Sequence, residues 1–457
     1  MPWLHVIRDH PIYNENYNDY YQNKTLYIVA LNALFQLVKN FSLSIFFLFK
    51  RFLVLQYFPQ ESSFNNVDTI FLSHAVNSKN FSDSKDFYFG DVPTEHSRDK
   101  QVEILYFNWT DEKEFTIQND EIKRTILNER LGLIQEIKFF GIAGKGLVNL
   151  FYLLIKGKLR FKFFFYVLPH IFSTQTLNNT RRYFQFLQFL ADRQPSKIIC
   201  TFEGHAHEKL FFLAAKKTNP RILTFAYQHS TLFKNQYSVF EHYLPECKPD
   251  YILASGELSA ERLKASYPDS KFIVVGSHKC GENIIANNQP EKVSMLFVPE
   301  GFECESLKML SFAQNCARLF PGNNFIFRLH PMVENNELIA HQLNASKFPN
   351  LTFSKNSIND DILMCQFVIY RGSSAVLDAA INQLIPIFLD DPKDSCELDV
   401  LYMIEKKKIT SPEDLSDLMN IDTDNLVLLR KKHNHLFDFI QLLRGRIKSK
   451  DFGLKNL

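Results

Sequence analysis

The hydrophobic pattern of the chain falls into three regimes. From Thr25 to Val38 and from Phe41 to Phe49 the residues are almost all apolar, with Lys39-Asn40 between the runs and Lys50-Arg51 after them. One or two packed or interfacial helices are expected in this N-terminal extension, residues 1–65, because neither run alone is long enough to span a bilayer. Short apolar runs then alternate with amphipathic ones. Val67–Leu72 and Val102–Phe107 read as strands, and Glu121–Phe140 and Gly144–Leu150 as helical. Another helix is expected from Thr180 to Asp192. After it the rhythm is regular: strand Lys197–Phe202, helix Ala206–Lys217, then strands Ile222–Ala226, Tyr251–Ala254 and Phe272–Val275.

A polar interval, Ser277–Glu291, reads as a linker. The rhythm then resumes with strand Val293–Val298, helix Glu305–Phe320, strand Asn324–Leu329, helix Glu334–Leu343 and strand Leu351–Ser354. A strand, turn, helix, strand unit follows over Gln366–Asp391, and an amphipathic helix closes the chain over Asp424–Ile447. Strands alternating with helices predict parallel sheets with right-handed crossovers. The expected fold is therefore α/β, with two Rossmann-like domains, 66–285 and 286–457, facing each other across a cleft.

Composition narrows the partners. The 457 residues carry a net charge of +2, which disfavours nucleic acid as a partner. The chain has 45 phenylalanines and only 15 glycines, so a large aromatic surface is either buried or in contact with lipid. Seven scattered cysteines with no C-x-x-C pair read as reduced thiols of a cytoplasmic protein. Phe151–Leu168 mixes Lys156, Lys158, Arg160 and Lys162 with seven aromatic residues and no acid. That pattern suits peripheral contact with an anionic membrane, and equally a core segment whose lysines reach outward.

Ligands of open α/β sheets bind beyond the carboxyl ends of the strands, so the residues just after each strand are the candidates. In the second domain these are Glu300-Gly301, Arg328 with His330, and Arg371-Gly372-Ser373-Ser374. Ser373, Ser374 and the free N–H groups of the following helix suit an anion such as phosphate, and a serine suits a helix cap just as well. His330 can bond a phosphate or protonate a leaving group, or bond its own turn. Asp378, one turn into the helix, suits ribose hydroxyls or solvent. In the first domain the candidates are Glu203-Gly204-His205 and Gln228-His229-Ser230. Glu203 is placed to act as a general base or to favour the helix dipole, and Glu300 is its rival. His205, His207 and Glu208 lack a strong ligand spacing, so no metal is expected. Walker, nucleophile-elbow and dinucleotide-binding glycine motifs do not occur.

Phe202-Glu203-Gly204, His330-Pro331 and Ser373-Ser374, in this order, resemble the acidic-Gly, His-Pro and Ser-Ser motifs of GT-B glycosyltransferases of bacterial surface polysaccharide synthesis. In particular the set resembles that of the sialyl-, polysialyl- and Kdo-transferases that use CMP-activated sugars. The resemblance covers roughly Lys197 to Asp391. It implies a nucleotide-sugar donor as co-substrate, a glycan or lipid-linked acceptor, no further cofactor, and action at the inner face of the plasma membrane. It also implies Glu203 as base, His330 as the group assisting departure of the nucleotide phosphate, and Ser373 with Ser374 as the phosphate site. Phe202 stands where the family often has a second acid. Arg371-Gly372 stand where the CDP-glycerol polymerases of teichoic-acid synthesis, the alternative enzyme, usually have Asp-Tyr. A non-catalytic nucleotide-sugar or glycan binding module is the other alternative.

Overall fold

The computed structural model describes residues 26–53, 67–75, 85–108, 122–127, 131, 133–158, 161–234, 236–240, 244–280, 292–333, 348–391, 399–433, 435–447, 452 and 454. The chain divides into two compact units, the first comprising 1–230, 236–278 and 446–457, the second 231–235 and 279–445. The first unit thus takes back the last twelve residues, which the sequence pattern had assigned to the second domain. Each unit is built on a wholly parallel sheet of Rossmann type, and two such units in one chain make a GT-B-type α/β architecture.

The first sheet has seven strands: β1 (Thr69–Ala75), β2 (Val102–Asn108), β3 (Lys123–Ile126), β4 (Lys197–Thr201), β5 (Leu223–Gln228), β6 (Tyr251–Ala254) and β7 (Lys271–Val274). Their order is β3-β2-β1-β4-β5-β6-β7. All seven residues of β1 are buried, as expected of a strand covered on both faces. Strand β3 lies in a stretch read as helical from its sequence. Its short Lys-Arg-Thr-Ile run pairs with β2, and Lys123 and Thr125 both reach the buried carboxylate of Glu103. Tertiary pairing outweighs local periodicity there.

In the N-terminal extension the two apolar runs belong to a single helix. Leu26–Leu53 is one continuous helix of 28 residues, because Lys39 and Asn40 are adequate helix formers and nothing between the two apolar runs breaks the backbone. Leu133–Ile155 is likewise one helix, running through Gly141, Gly144 and Gly146. The aromatic segment after it divides into the end of that helix and a second helix, Phe161–Val167. These helices share a cluster with Thr174–Arg193, built on Phe139, Leu150, Phe164, Val167 and Leu177.

The carboxyl tail buries Phe452 and Leu454 in the core of the first sheet, where Phe452 packs against Tyr227. Lys197 Nζ donates to the carbonyl of Leu454 at 2.9 Å. Gly276 permits this return: its φ is +85°, and an added Cβ would lie 2.0 Å from the Arg446 carbonyl oxygen.

The second sheet has six strands: β8 (Ser294–Val298), β9 (Asn324–Phe327), β10 (Leu351–Phe353), β11 (Phe367–Tyr370), β12 (Ile385–Leu389) and β13 (Lys407–Ile409), ordered β10-β9-β8-β11-β12-β13. Alternation along the strands feeds two cores. Met295, Phe297, Phe367 and Ile369 face the helix Glu303–Leu319, whereas Leu296, Val298, Val368 and Tyr370 belong with the helices Ala375–Ile381 and His435–Leu443. The expected closing helix is two helices, Thr423–Lys432 and His435–Leu443. The expected helix Glu334–Leu343 lies outside the described residues, as does most of the expected linker.

Candidate functional site

In both sheets the strand order reverses direction once, between β1 and β4 in the first and between β8 and β11 in the second. Such a switch point opens a crevice at the carboxyl ends of the two strands. In the first unit the residues there are His74, near the end of β1, and Glu203-Gly204-His205, after β4.

The turn after β4 is held by one buried side chain. Glu208, in the first turn of the helix Ala206–Thr218, is fully buried and accepts the backbone N–H groups of Glu203, Gly204 and His205 at 2.8–3.1 Å. Gly204 adopts φ +87°, and a Cβ there would lie 2.5 Å from the backbone nitrogen of Val239. No other residue fits. Gln236 Nε2 adds a bond to the Glu203 carbonyl at 3.0 Å.

This anchoring frees the Glu203 side chain for a different task. Its carboxylate is 30% exposed and lies 3.2 Å from His205 Nε2 through one oxygen and 3.5 Å from His229 Nε2 through the other. His229 is buried on the adjacent strand end and packs against Tyr88. A half-exposed carboxylate between two imidazoles can accept a proton and pass it on.

Gln228 is fully buried: its Oε1 accepts from Ser255 N and Oγ, both at 3.1 Å, and its Nε2 donates to the Ser230 carbonyl. It ties β5 to the residues after β6, and Ser230 takes part through its backbone.

His74 was not legible as a site residue. Its ring lies 5.2 Å from that of His207 and 6.0 Å from that of His205. Burial, reinforced by the neighbouring His205 charge and opposed by Glu203, pushes its pKa down to about 3. It therefore stays neutral across the physiological range.

His74, His207 and Glu208 bring potential ligand atoms within 4.8 Å of one another, the one grouping of this kind among the described residues. The Glu208 oxygens in that group already serve the three backbone N–H donors described above.

In the second unit Glu300-Gly301, Arg328 with His330, and Arg371–Ser374 follow three adjacent strands, β8, β9 and β11, at one sheet edge. Two of the expected ligand-binding cations have protein partners. Arg328 donates to Asp361 at 2.9 Å and to the Asn356 carbonyl at 2.6 Å. Arg371 is buried against Glu305 and the Leu389 carbonyl. Asp378, expected at a ribose, accepts from Arg444 at 2.6 Å, which fastens the helix Ala375–Ile381 to the helix His435–Leu443.

Ser373 is buried and its Oγ accepts from Ala375 N at 3.4 Å, a weak local bond. Ser374, at the cap position, is exposed and makes no capping side-chain bond. Gly372 is buried between them and Arg371. His330 has a pKa below its ordinary value, chiefly through burial and secondarily through the charge of Lys279. Burial likewise raises the pKa of Glu300, against a bond from the Gly301 backbone.

No family model matches the sequence, and no curated protein matches it. Among solved structures, the lipopolysaccharide outer core galactosyltransferase WaaB is similar at a TM-score of 0.42 and 14% identity, over 85% of this chain and 98% of that one. Alr3699/HepE of Anabaena, in complex with UDP and glucose, gives 0.47 and 8%, over 86% and 99%. The UDP-GlcNAc 2-epimerase of Methanocaldococcus jannaschii gives 0.44 and 12%, over 85% and 98%. Likeness at this level does not extend to an activity.

Proposed function

We propose that the protein is a glycosyltransferase in which the first unit activates an acceptor hydroxyl and the second holds a nucleotide-sugar donor. The observation that carries this reading is the Glu203 carboxylate, fixed by its backbone, partly open to solvent, and set between His205 and His229. Glu203 takes the acceptor proton as the new glycosidic bond forms, and the two histidines stabilise the charge it exchanges.

On the donor side, Ser373, the exposed Ser374 hydroxyl, Gly372 and Gly301 offer hydrogen bonds to a phosphate. His330 assists departure of the nucleotide phosphate. Arg371 and Arg328 shape this edge from behind, through Glu305 and Asp361. Glu300 is the less suitable base, because burial favours its neutral form.

The motif resemblance favours a CMP-activated ulosonic acid as the donor and a surface polysaccharide as the acceptor. This reading routes no step through a metal; among the described residues, the one candidate ligand group has its carboxylate bonded to backbone N–H groups.

A thermal-shift panel of CMP, CDP, UDP and GDP, followed by turnover with the matching sugar donors, tests the proposal. Stabilisation by cytidine nucleotides, with turnover abolished in Glu203→Gln while that stabilisation persists, is the expected result. Stabilisation by UDP or GDP alone overturns the donor assignment. Turnover of CDP-glycerol points to a glycerophosphotransferase, and nucleotide binding without turnover of any donor points to a binding module.

A further inference from the structure

The helix Leu26–Leu53 buries Val29 and Ala33 but leaves most of its large apolar side chains exposed. Residues it turns toward the protein include Ala33, Asn40 and Ser44, whereas Leu31, Leu34, Phe35, Val38 and Phe46 are exposed, Phe35 to 66% and Val38 to 64%. A helix of a water-soluble protein buries its apolar stripe and wets its polar one. The helix Leu133–Ile155 shows the same tendency through Ile134, Ile137, Val148, Tyr152 and Ile155, all exposed. The two helices touch edge-to-face at Phe41 and Phe140, with ring centroids 6.2 Å apart.

Charge on this surface has one sign. Lys39, Lys138, Lys145, Lys156 and Lys158 are exposed. Glu136, the one acid among the described residues of the two helices, is buried in a bidentate pair with Arg181. Apolar rings and aliphatic side chains interspersed with lysines complement an anionic lipid surface, with headgroups meeting the ammonium groups and acyl chains the rings.

Windows of both helices, Tyr27–Phe46 and Ile134–Ile155, are long and apolar enough to cross a bilayer. Two bonds argue against a crossing by the first. Asn40 Nδ2 donates to the Pro169 carbonyl at 2.8 Å and Ser44 Oγ to the Phe172 carbonyl at 2.6 Å, and Phe41 packs on Phe172. These contacts fasten the helix along its middle to the turn that leads into the helix Thr174–Arg193. A spanning helix would have to break both bonds and bury Asn40 in hydrocarbon, where an unpaired amide costs several kcal/mol.

We infer that the paired helices Leu26–Leu53 and Leu133–Ile155 form a monotopic platform that lies in the plane of an anionic membrane surface, without crossing it.

The test is co-sedimentation of the full chain with phosphatidylcholine vesicles with and without phosphatidylglycerol. Binding is expected to be stronger to the anionic vesicles and to weaken with salt. The combined substitution Lys138→Gln, Lys145→Gln, Lys156→Gln and Lys158→Gln is expected to reduce it on the order of a thousandfold. Leu34→Gln, Phe35→Gln and Val38→Gln together are expected to abolish binding to both vesicle types. Both variants should retain the wild-type urea midpoint, since the replaced side chains face away from the core. Bound protein should be released by alkaline carbonate. Retention after alkaline extraction would overturn the in-plane arrangement in favour of a span. Absence of vesicle binding, with a dimer in sedimentation velocity that the apolar triple variant dissociates, would assign the face to a second copy of the chain instead.

Discussion

The carboxylate of Glu208 accepts the N–H of Gly204 at 2.9 Å, the central bond of three that fix the turn carrying Glu203. Glu208→Ala leaves three inward-facing donors without their acceptor and is expected to cost on the order of 2–4 kcal/mol in urea unfolding. Glu203→Gln, by contrast, should leave the unfolding midpoint within about 0.5 kcal/mol of wild type and remove turnover. The separation of stability from activity between two glutamates five residues apart is the diagnostic.

Gly204→Ala meets two obstacles, a positive φ and a Cβ 2.5 Å from Val239 N. The backbone conformation alone costs about 1–3 kcal/mol. The variant should unfold at lower urea than wild type, and circular dichroism melting will show it.

His74 makes stability depend on pH. Its pKa is about 3 in the folded protein against 6.5 ordinarily, so the unfolded chain binds the proton more readily. The contribution of the neutral ring is complete above pH 6.5 and is lost as pH falls toward about 3, by up to about 1.4 kcal/mol per pH unit. Urea titrations of wild type and His74→Phe between pH 7 and about pH 5 should show a shallower decline for the variant.

Arg371 and Glu305 form a buried pair, and removing Arg371 leaves the Glu305 carboxylate only its longer contact with Lys308 at 3.5 Å. Arg371→Met is expected to destabilise by about 3–5 kcal/mol, and Arg371→Met with Glu305→Leu to recover much of that loss. A double-mutant cycle in denaturant measures the coupling. Had Arg371 served the ligand alone, the single substitution would change nucleotide affinity and leave stability untouched.

Strands with β-branched and aromatic runs were legible almost to the residue, Tyr251–Ala254 and Lys197–Thr201 among them, because burial on both faces leaves the sequence little alternative. Lys123–Ile126 was not, since four residues carry no period and only pairing with β2 makes them a strand. Glu203, His205 and His229 were legible as residues following strands, whereas the distances joining them belong to the fold. His74 carried no signal: it sits within β1, and its proximity to His205 and His207 arises because β1 and β4 are neighbours. The partners of Arg328, Arg371 and Asp378 were hidden for the same reason. Asp361, Glu305 and Arg444 lie 33 to 66 positions away, and a sequence shows a charge without showing its neighbour.

The return of Phe452 and Leu454 into the first core also orders events in time. On the ribosome the first unit is synthesised early and finished last, since the residues that fill its core and satisfy Lys197 emerge only after the entire second unit. Until then the side of Tyr227 that Phe452 covers is left open to solvent or to chaperones. A nascent chain arrested before residue 446 should therefore present a protease-sensitive first unit beside a folded second one.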